Sequence, residues 1–115
     1  EMLNSLRGNA RGILIIGDML ELGSHAEHLH KKIGSLAAAS RMSRLYLTGS
    51  FAKTMAEGAL QENMPPGAVY EGTKEAIVAD ICQRIRPGDW ILVKGSRAMG
   101  MEDIVASVVE WANNR

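Results

Sequence analysis

The sequence predicts an α/β fold, a three-layer, Rossmann-like domain with a mostly parallel sheet of about four strands and helices on both faces. Two continuous apolar runs, at residues 13–16 and 90–93, are typical of parallel strands that are covered on both faces. Stretches with helical periodicity alternate with the strands, which implies right-handed crossovers between parallel neighbours. The chain has 115 residues, enough for one domain with its own core.

The predicted elements follow one another in a regular order. Ser24 and Glu27 have the spacing of a capping box, so the first complete helix is expected to begin at Ser24. Its apolar stripe, which includes Ile33, Leu36 and Ala37, is expected to face the sheet. The strand at 68–70 is weak, which favours a place near an edge. The full set is a helix end at 2–7, strands at 11–17, 45–47, 68–70 and 90–93, and helices at 24–40, 52–60, 74–86 and from residue 101 onwards.

The two strongest strands are expected to lie near the middle of the sheet. Gly17 and Asp18 directly follow the first of them, and Lys94 directly follows the second. Ligands of open α/β sheets bind beyond the carboxyl ends of the strands. If the two strands are neighbours, Asp18 and Lys94 therefore share a ligand-binding rim.

Composition excludes several classes of protein. Thirteen Lys and Arg residues balance thirteen Asp and Glu residues, which argues against a nucleic-acid or polyanion surface. The single cysteine, Cys82, excludes an internal disulfide, and its place on an apolar helix stripe predicts a small core residue rather than a nucleophile. No apolar run approaches the roughly 20 residues of a membrane span, and the first ten residues lack a signal-peptide pattern. A cytoplasmic location is expected, and the opening at Glu1 suggests a fragment of a longer protein.

Two polar loops are candidates for ligand contact. Asp18 and Glu21 follow the first strand, where they could hold a cation, an amine or a ribose hydroxyl; alternatively, they accept backbone N–H bonds near a helix start. Lys94, Ser96 and Arg97 lie in a glycine-containing loop just before a helix N-terminus. Because free N–H groups and the helix dipole add to the side-chain charges, this loop favours contact with a phosphate or carboxylate over a merely solvated role.

The remaining motifs are incomplete. His25, His28 and His30 have neither the HExxH nor the zinc-finger spacing, so no metal site is predicted, and His30 is expected either to reach the rim or to pack within its helix. The patterns GxxxxGK[ST] and GxGxxG occur nowhere in the chain. The sequence therefore contains neither a phosphate-binding P-loop nor a dinucleotide fingerprint.

Several motifs taken together resemble a known family. GDMLELG at 17–23, His30 seven positions later, LVKGSR at 92–97 and Met101-Glu102 match, in this order, the C-terminal domain of the Mur ligases. The GDMxELG pattern is similar to that of the member that joins D-alanyl-D-alanine to a UDP-N-acetylmuramoyl-tripeptide in peptidoglycan synthesis. The resemblance runs from about residue 2 to the end, and it identifies residues 1–115 as one Mur ligase C-terminal domain.

The resemblance implies an activity for the longer protein rather than for this piece. In the family, ATP converts the peptide carboxylate into an acyl phosphate, an amine attacks it, and Mg²⁺ shields the phosphates. ATP and Mg²⁺ are bound mainly by a central domain, whose P-loop and modified lysine are absent from this chain. The fragment alone is therefore expected to hold no catalytic residue and to be inactive. The implied partners are D-alanyl-D-alanine, UDP-N-acetylmuramoyl-tripeptide and ATP, with no nucleic acid and no membrane span.

The resemblance carries over to six positions as substrate-binding residues: Asp18, Glu21, His30, Lys94, Ser96 and Arg97. The incoming dipeptide needs an anion site for its carboxylate, and we hypothesise that Lys94 or Arg97 supplies it. We hypothesise that Asp18 or Glu21 contacts the dipeptide amine or a bridging water.

Two other functions remain open. The chain could belong to another Mur-type or folate-type ligase, or it could be a stand-alone Rossmann-like binding module without catalysis. The family places an extra upstream strand beside the strand at 11–17. Without that strand, residues 13–16 would form an open apolar edge, which predicts self-association of the fragment.

Overall fold

The structure is a computed structural model that describes residues 11–20 and 23–114. Its strands are β1 (Gly12–Ile16), β2 (Arg44–Leu47), β3 (Val69–Glu71) and β4 (Trp90–Lys94), and its helices are α1 (Ala26–Ala39), α2 (Ala52–Gln61), α3 (Lys74–Arg84) and α4 (Glu102–Asn113). Short 3₁₀ turns at Gly23–His25, Pro66–Ala68 and Arg97–Met99 precede α1, β3 and α4. The α/β prediction is confirmed. The helix end predicted at 2–7 and the side chain of Glu21 lie outside the described residues.

The four strands form one parallel sheet in the order β3-β2-β1-β4. Ile16 at the end of β1 lies opposite Leu47 of β2 and Lys94 of β4. The two strongest strands are therefore neighbours, which is the condition for the shared rim, and the predicted place of the weak strand β3 near an edge is confirmed.

The outer side of β4 corrects two predictions. This strand forms the other edge of the described sheet, instead of lying near its middle, and its apolar residues are only partly buried. Because β1 has a strand on each side, the open apolar edge predicted at 13–16 is also wrong, and the edges of the described sheet are β3 and β4. A continuous apolar run indicates that both faces of a strand are apolar, but it does not indicate how many strands are hydrogen-bonded to it.

Helices cover both faces of the sheet, as the alternation along β1 requires. Leu14 and Ile16 point to one face, where they pack with residues of α1 and α2. Ile13 and Ile15 point to the other face, where they pack with residues of α3 and α4. The three-layer arrangement is therefore built from two separate apolar cores on either side of one buried strand.

The start and the orientation of α1 differ from the prediction. Ser24 lies in the 3₁₀ turn, α1 begins at Ala26, and the residue at its N-cap, His25, makes no side-chain capping bond, so the predicted capping box is wrong. Of the predicted stripe, Ala37 is buried and Ile33 packs against the core, but Leu36 is 61% exposed. The buried stripe of α1 runs through Gly34 because this helix packs against α2 as well as against the sheet.

Two glycines let α1 and α2 approach each other closely. A Cβ atom on Gly34 would lie 1.9 Å from the carbonyl oxygen of Met55, and one on Gly58 would lie 2.0 Å from the carbonyl oxygen of Lys31. Both distances are far below van der Waals contact, so neither position accepts a side chain without moving a helix. The hydroxyl of Ser35 adds a bond across this contact to the carbonyl of Gly58, at 3.1 Å.

An ion pair stabilises the amino ends of the strands, which lie opposite the ligand-binding rim. The guanidinium of Arg11 donates to both oxygens of Asp89, at 3.1 and 2.6 Å, and the backbone N–H of Arg86 donates to the same carboxylate, at 2.9 Å. The hydrogen bond from Arg11 lowers the pKa of Asp89 despite its burial. These contacts tie the start of β1 to the start of β4.

A second set of hydrogen bonds, around the buried Tyr46, ties β2 to α3. The hydroxyl of Tyr46 donates to Asp80 at 2.6 Å, and Arg44 and Arg84 donate to the same oxygen. Burial and the bond to Asp80 raise the pKa of Tyr46 to about 12. Burial alone would raise the pKa of Asp80, but the bonds from Tyr46 and Arg84 outweigh it and lower that pKa.

Within residues 11–20 and 23–114, no helix has the length and apolar character needed to cross a membrane.

Candidate functional site

The two candidate loops meet at the carboxyl ends of β1 and β4. The backbone N–H of Gly17 donates to the carbonyl of Lys94 at 2.8 Å, which extends the strand pairing by one residue. Beyond it, the N–H of Ser96 donates to the carbonyl of Asp18 at 3.0 Å, and the hydroxyl of Ser96 accepts the N–H of Leu20 at 2.5 Å. Because β1 and β4 are neighbours, Asp18 and Lys94 do lie at the same rim of the sheet.

Small residues allow the two loops to lie so close. A Cβ atom on Gly17 would lie 2.6 Å from the sulfur of Met101, and one on Gly95 would lie 2.8 Å from the Cγ of the same methionine. Met101 is itself buried, so it forms the floor beneath both loops. The sequence pattern showed Met101 only as part of a helix stripe, and its role as a floor depends on the packing of α4.

Asp18 is turned away from solvent toward α2. Its side chain is 4% exposed. One carboxylate oxygen accepts the N–H of Ser50 at 2.8 Å, and the other accepts the N–H of Phe51 at 2.9 Å, so Asp18 binds the N-terminus of α2. This contact corresponds to the alternative in which a loop carboxylate satisfies backbone donors at a helix start.

The loop between β2 and α2 faces Asp18, and none of its residues was among the predicted site residues. Gly49 has a φ of +107°, and a Cβ atom there would lie 2.6 Å from the Asp18 carboxylate, so only glycine fits. The sequence contained a signal for this loop, because Thr48, Gly49 and Ser50 repeat the pattern of small polar residues after a strand. The signal could not identify Asp18 as the partner, which lies in a different strand–helix unit.

His30 is fully buried and fixes the loop after β1 from the side of α1. Its Nδ1 lies 2.6 Å from the carbonyl of Ala26, and its Nε2 lies 2.9 Å from the N–H of Met19, which it accepts. These partners require a neutral ring with the proton on Nδ1. The ring also stacks on Phe51, with centroids 4.1 Å apart and planes 6° apart. Of the two expectations for His30, the structure supports contact with the rim loop.

Lys94 and Arg97 are the exposed cations of this rim. Among the described residues, neither side chain has a hydrogen-bond or ion-pair partner within the protein. Lys94 stands at the end of an open groove of about 300 Å³, between α1 and β4. The groove wall is mainly apolar and includes Met19, Ile33, Leu36 and Leu92. The rim thus combines two available positive charges with an apolar surface beside one of them.

The described residues do not fit a divalent metal ion. In residues 11–20 and 23–114, no three His, Cys, Asp or Glu side chains come together as ligands. Both oxygens of Asp18, a carboxylate in the described part of the rim, already accept backbone N–H bonds. Cys82 packs at the margin of the core on the α3 side, and burial raises the pKa of its thiol, which agrees with a core residue and not with a nucleophile.

Comparison with known proteins identifies the family. The family model of the Mur ligase, glutamate ligase domain, matches residues 1–97 of this chain. The chain therefore belongs to the Mur ligase family, and the resemblance drawn from the motifs at 17–23 and 92–97 is confirmed. The matching part is the family's C-terminal domain.

Two curated relatives carry the same name. The chain is 32% identical over 110 residues to the UDP-N-acetylmuramoyl-tripeptide–D-alanyl-D-alanine ligase of Bacillus subtilis strain 168, a match that covers 96% of this chain and 24% of the relative. It is 33% identical over 100 residues to the enzyme of that name from Escherichia coli K12, covering 85% of this chain and 21% of the relative. The chain thus spans about a quarter of the length of the relatives it matches.

Solved structures agree with the fold. A crystal structure of MurF from Acinetobacter baumannii superposes with a TM-score of 0.77 at 24% identity, covering 91% of this chain and 23% of that one. MurF ligase from Thermotoga maritima in complex with ADP superposes with a TM-score of 0.69 at 20% identity, covering 86% of this chain and 22% of that one. At these identities the likeness establishes the fold, and it agrees with the predicted parallel sheet with helices on both faces.

Proposed function

We propose that this chain is the C-terminal domain of an ATP-dependent ligase that adds D-alanyl-D-alanine to a UDP-N-acetylmuramoyl-tripeptide. The curated relatives from Bacillus subtilis and Escherichia coli share that name, which favours this reaction over those of other Mur-type or folate-type ligases. Because the chain spans about a quarter of those relatives, the reaction is a proposal for the longer protein, and residues 1–115 alone are expected to be inactive.

The observation that carries the proposal is the rim. Two exposed cations lie there, at the end of β4 and on the loop after it, and this loop is fixed to the loop after β1. The bonds of Ser96 to Asp18 and Leu20 hold the loop after β4 against the loop after β1. Lys94, at the end of β4, and Arg97, on the loop after it, are exposed and have no partner among the described residues. A dipeptide carboxylate or a nucleotide phosphate needs such a preorganised cationic surface.

The predicted site residues divide into two groups on this proposal. Lys94 and Arg97 would bind the carboxylate of the incoming dipeptide. Asp18, His30 and Ser96 are engaged with backbone groups, so we assign them the task of holding the loops in shape, and their direct contact with substrate remains a prediction. The predicted contact of Glu21 with the dipeptide amine also remains a prediction, since its side chain lies outside the described residues.

The nucleotide and the metal ion would be held mainly by the rest of the enzyme. The Mur ligases use ATP, and the structure from Thermotoga maritima is a complex with ADP. We assign Mg²⁺ to the central domain, because the described residues of this chain offer no cluster of ligands for it. A cytoplasmic location follows from the proposed substrates, which are a nucleotide and a UDP-linked peptide.

Arg97→Ala in the full-length enzyme tests the proposal. Loss of a charge-assisted bond to the dipeptide carboxylate should raise the KM for D-alanyl-D-alanine by about tenfold, with kcat at saturating dipeptide within about twofold of wild type. Arg86→Ala is the matched control, because Arg86 is also exposed but lies before the amino end of β4, away from the rim at its carboxyl end. An unchanged KM in Arg97→Ala, in an enzyme that still ligates the dipeptide, would contradict the assignment.

We also propose that the isolated chain self-associates through β4. The backbone N–H of Trp90 donates to the carbonyl of Arg11, beside β1. Because the backbone groups of successive strand residues point to opposite sides, those of Ile91 and Val93 face the side of β4 that is away from β1. Trp90 is 42% exposed, and the neighbouring groove exposes Leu36. An apolar strand with unpaired backbone groups is a template for a second chain.

A further inference from the structure

We propose that Lys74 is a positioning residue for the loop that carries Arg97. This inference rests on the proposed function, because it assigns Lys74 a part in presenting Arg97 to substrate. Lys74 belongs to neither of the two motifs that identify the family, and it lies in a different strand–helix unit, at the first position of α3.

The ammonium group of Lys74 reaches across to the segment between β4 and α4. Its Nζ donates to the carbonyl of Met99 at 3.1 Å and to the carbonyl of Gly100 at 3.4 Å. It also lies 3.5 Å from a carboxylate oxygen of Asp103, but that side chain is 73% exposed, so the pair adds little. The carbonyl contacts are therefore the specific ones, since they bind the backbone of the loop itself.

The position of Lys74 is an unfavourable one for a lysine. It opens α3 directly after Thr73, whose side chain caps the helix by accepting the N–H of Ala76 at 3.1 Å. The helix dipole disfavours a cation in the first turn by some tenths of a kcal/mol. The carbonyls at the end of the Arg97–Met99 turn provide the opposite partial charge, and they account for a cation at this place.

The contacts of Lys74 lead to Arg97 through two hydrogen bonds. The N–H of Met99 donates to the carbonyl of Ser96 at 2.9 Å, and the N–H of Gly100 donates to the carbonyl of Arg97 at 3.1 Å. Gly100 has a φ of +60°, and this conformation brings its carbonyl and that of Met99 within reach of α3. By holding the end of this one-turn segment, Lys74 restricts the direction in which the side chain of Arg97 extends from it.

The effect on the loop can be measured in this chain without any enzyme assay. In Lys74→Met, the backbone order parameters of residues 97–100 should fall from the rigid range of about 0.85 to below about 0.6, while those of β1 stay unchanged. Lys74→Arg should retain the wild-type values because the guanidinium can donate to the same carbonyls. Lys32→Met, which changes an exposed lysine on α1, is the control and should have no effect. Unchanged order parameters at 97–100 in Lys74→Met, or an equal fall in β1, would overturn the positioning role.

The effect on catalysis is measured in the full-length enzyme. Lys74→Met should raise the KM for the dipeptide at least threefold with little change in kcat, and Lys74→Arg should restore the wild-type KM. Added to Arg97→Ala, Lys74→Met should raise KM no further, because both changes act on one contact. If Arg97→Ala leaves KM unchanged, the proposed function of Arg97 fails, while the order parameters still decide whether Lys74 holds the loop. If the two changes multiply, Lys74 acts by another route and the inference is wrong.

Discussion

The carboxylate of Asp18 accepts the backbone N–H of Phe51 at 2.9 Å, and through this contact the loop after β1 binds the N-terminus of α2. On its other side, the same loop binds His30 of α1 through Met19, and His30 in turn stacks on Phe51. The rim loop is thus enclosed by two helices that pack on the same face of the sheet. Residues 17–20 of this loop are thus fixed by contacts with both helices and by the exposed bond from Leu20 to Ser96.

Replacement of Asp18 should affect stability even without a ligand. Asp18→Asn keeps the shape but loses one acceptor and the charge that faces the N-terminus of α2, so we expect a loss of about 1–2 kcal/mol in the free energy of unfolding. Urea denaturation followed by circular dichroism measures it. Glu57→Gln changes an exposed carboxylate on the same helix and should alter stability by less than about 0.5 kcal/mol. Equal stabilities of Asp18→Asn and wild type would show that the capping contact contributes nothing.

The close contact between α1 and α2 predicts a strong effect from one methyl group. Gly34→Ala places a Cβ atom where the carbonyl oxygen of Met55 lies, so the helices must separate, and we expect a loss of about 3 kcal/mol or more. Gly67→Ala is the matched control, because a Cβ atom there would meet nothing within 4 Å. The control should be neutral or slightly stabilising, since alanine reduces the entropy of the unfolded chain. Thermal unfolding compares the two, and similar melting temperatures for both variants would contradict the close approach of the two helices.

The buried carboxylate of Asp89 predicts a specific dependence of stability on pH. Its pKa is lowered below the ordinary 3.8 by the bond from Arg11, so the folded state favours the ionised form. This contribution is present above about pH 4 and is lost as pH falls through the lowered value. Asp89→Asn should therefore be less stable than wild type by about 2 kcal/mol at pH 7, and the difference should shrink toward pH 2. Urea midpoints across this range measure the difference, and a difference that stays constant with pH would be inconsistent with the ion pair.

The free edge of β4 predicts a concentration-dependent mass. Sedimentation equilibrium should show dimers of this chain at high concentration, and Trp90→Lys should shift the chain to monomer because charged side chains on an edge strand oppose pairing. Leu60→Lys is the matched control, since Leu60 is 40% exposed, close to the 42% of Trp90, but lies on α2 away from β4. A wild-type chain that stays monomeric at all concentrations would contradict self-association, and dissociation by Leu60→Lys instead would place the contact elsewhere.

The sequence by itself determined the fold class, the parallel direction of the strands and the polar residues that follow them. These features follow from local patterns: continuous apolar runs, helical periodicity and the glycines after the strands. The motifs at 17–23 and 92–97 also identified the family, because their order and their spacing relative to the strands are specific.

Only the tertiary structure decided which partners the rim residues have. Asp18 and Phe51 are 33 positions apart, and Lys74 and Met99 are 25 apart, so no local pattern could pair them. The structure likewise decided that β4, and not β1, lies at an edge of the described sheet, and that α1 turns Gly34 rather than Leu36 into the core. Periodicity describes which faces of an element are apolar, whereas edges, helix rotations and buried polar contacts depend on how separate elements pack together.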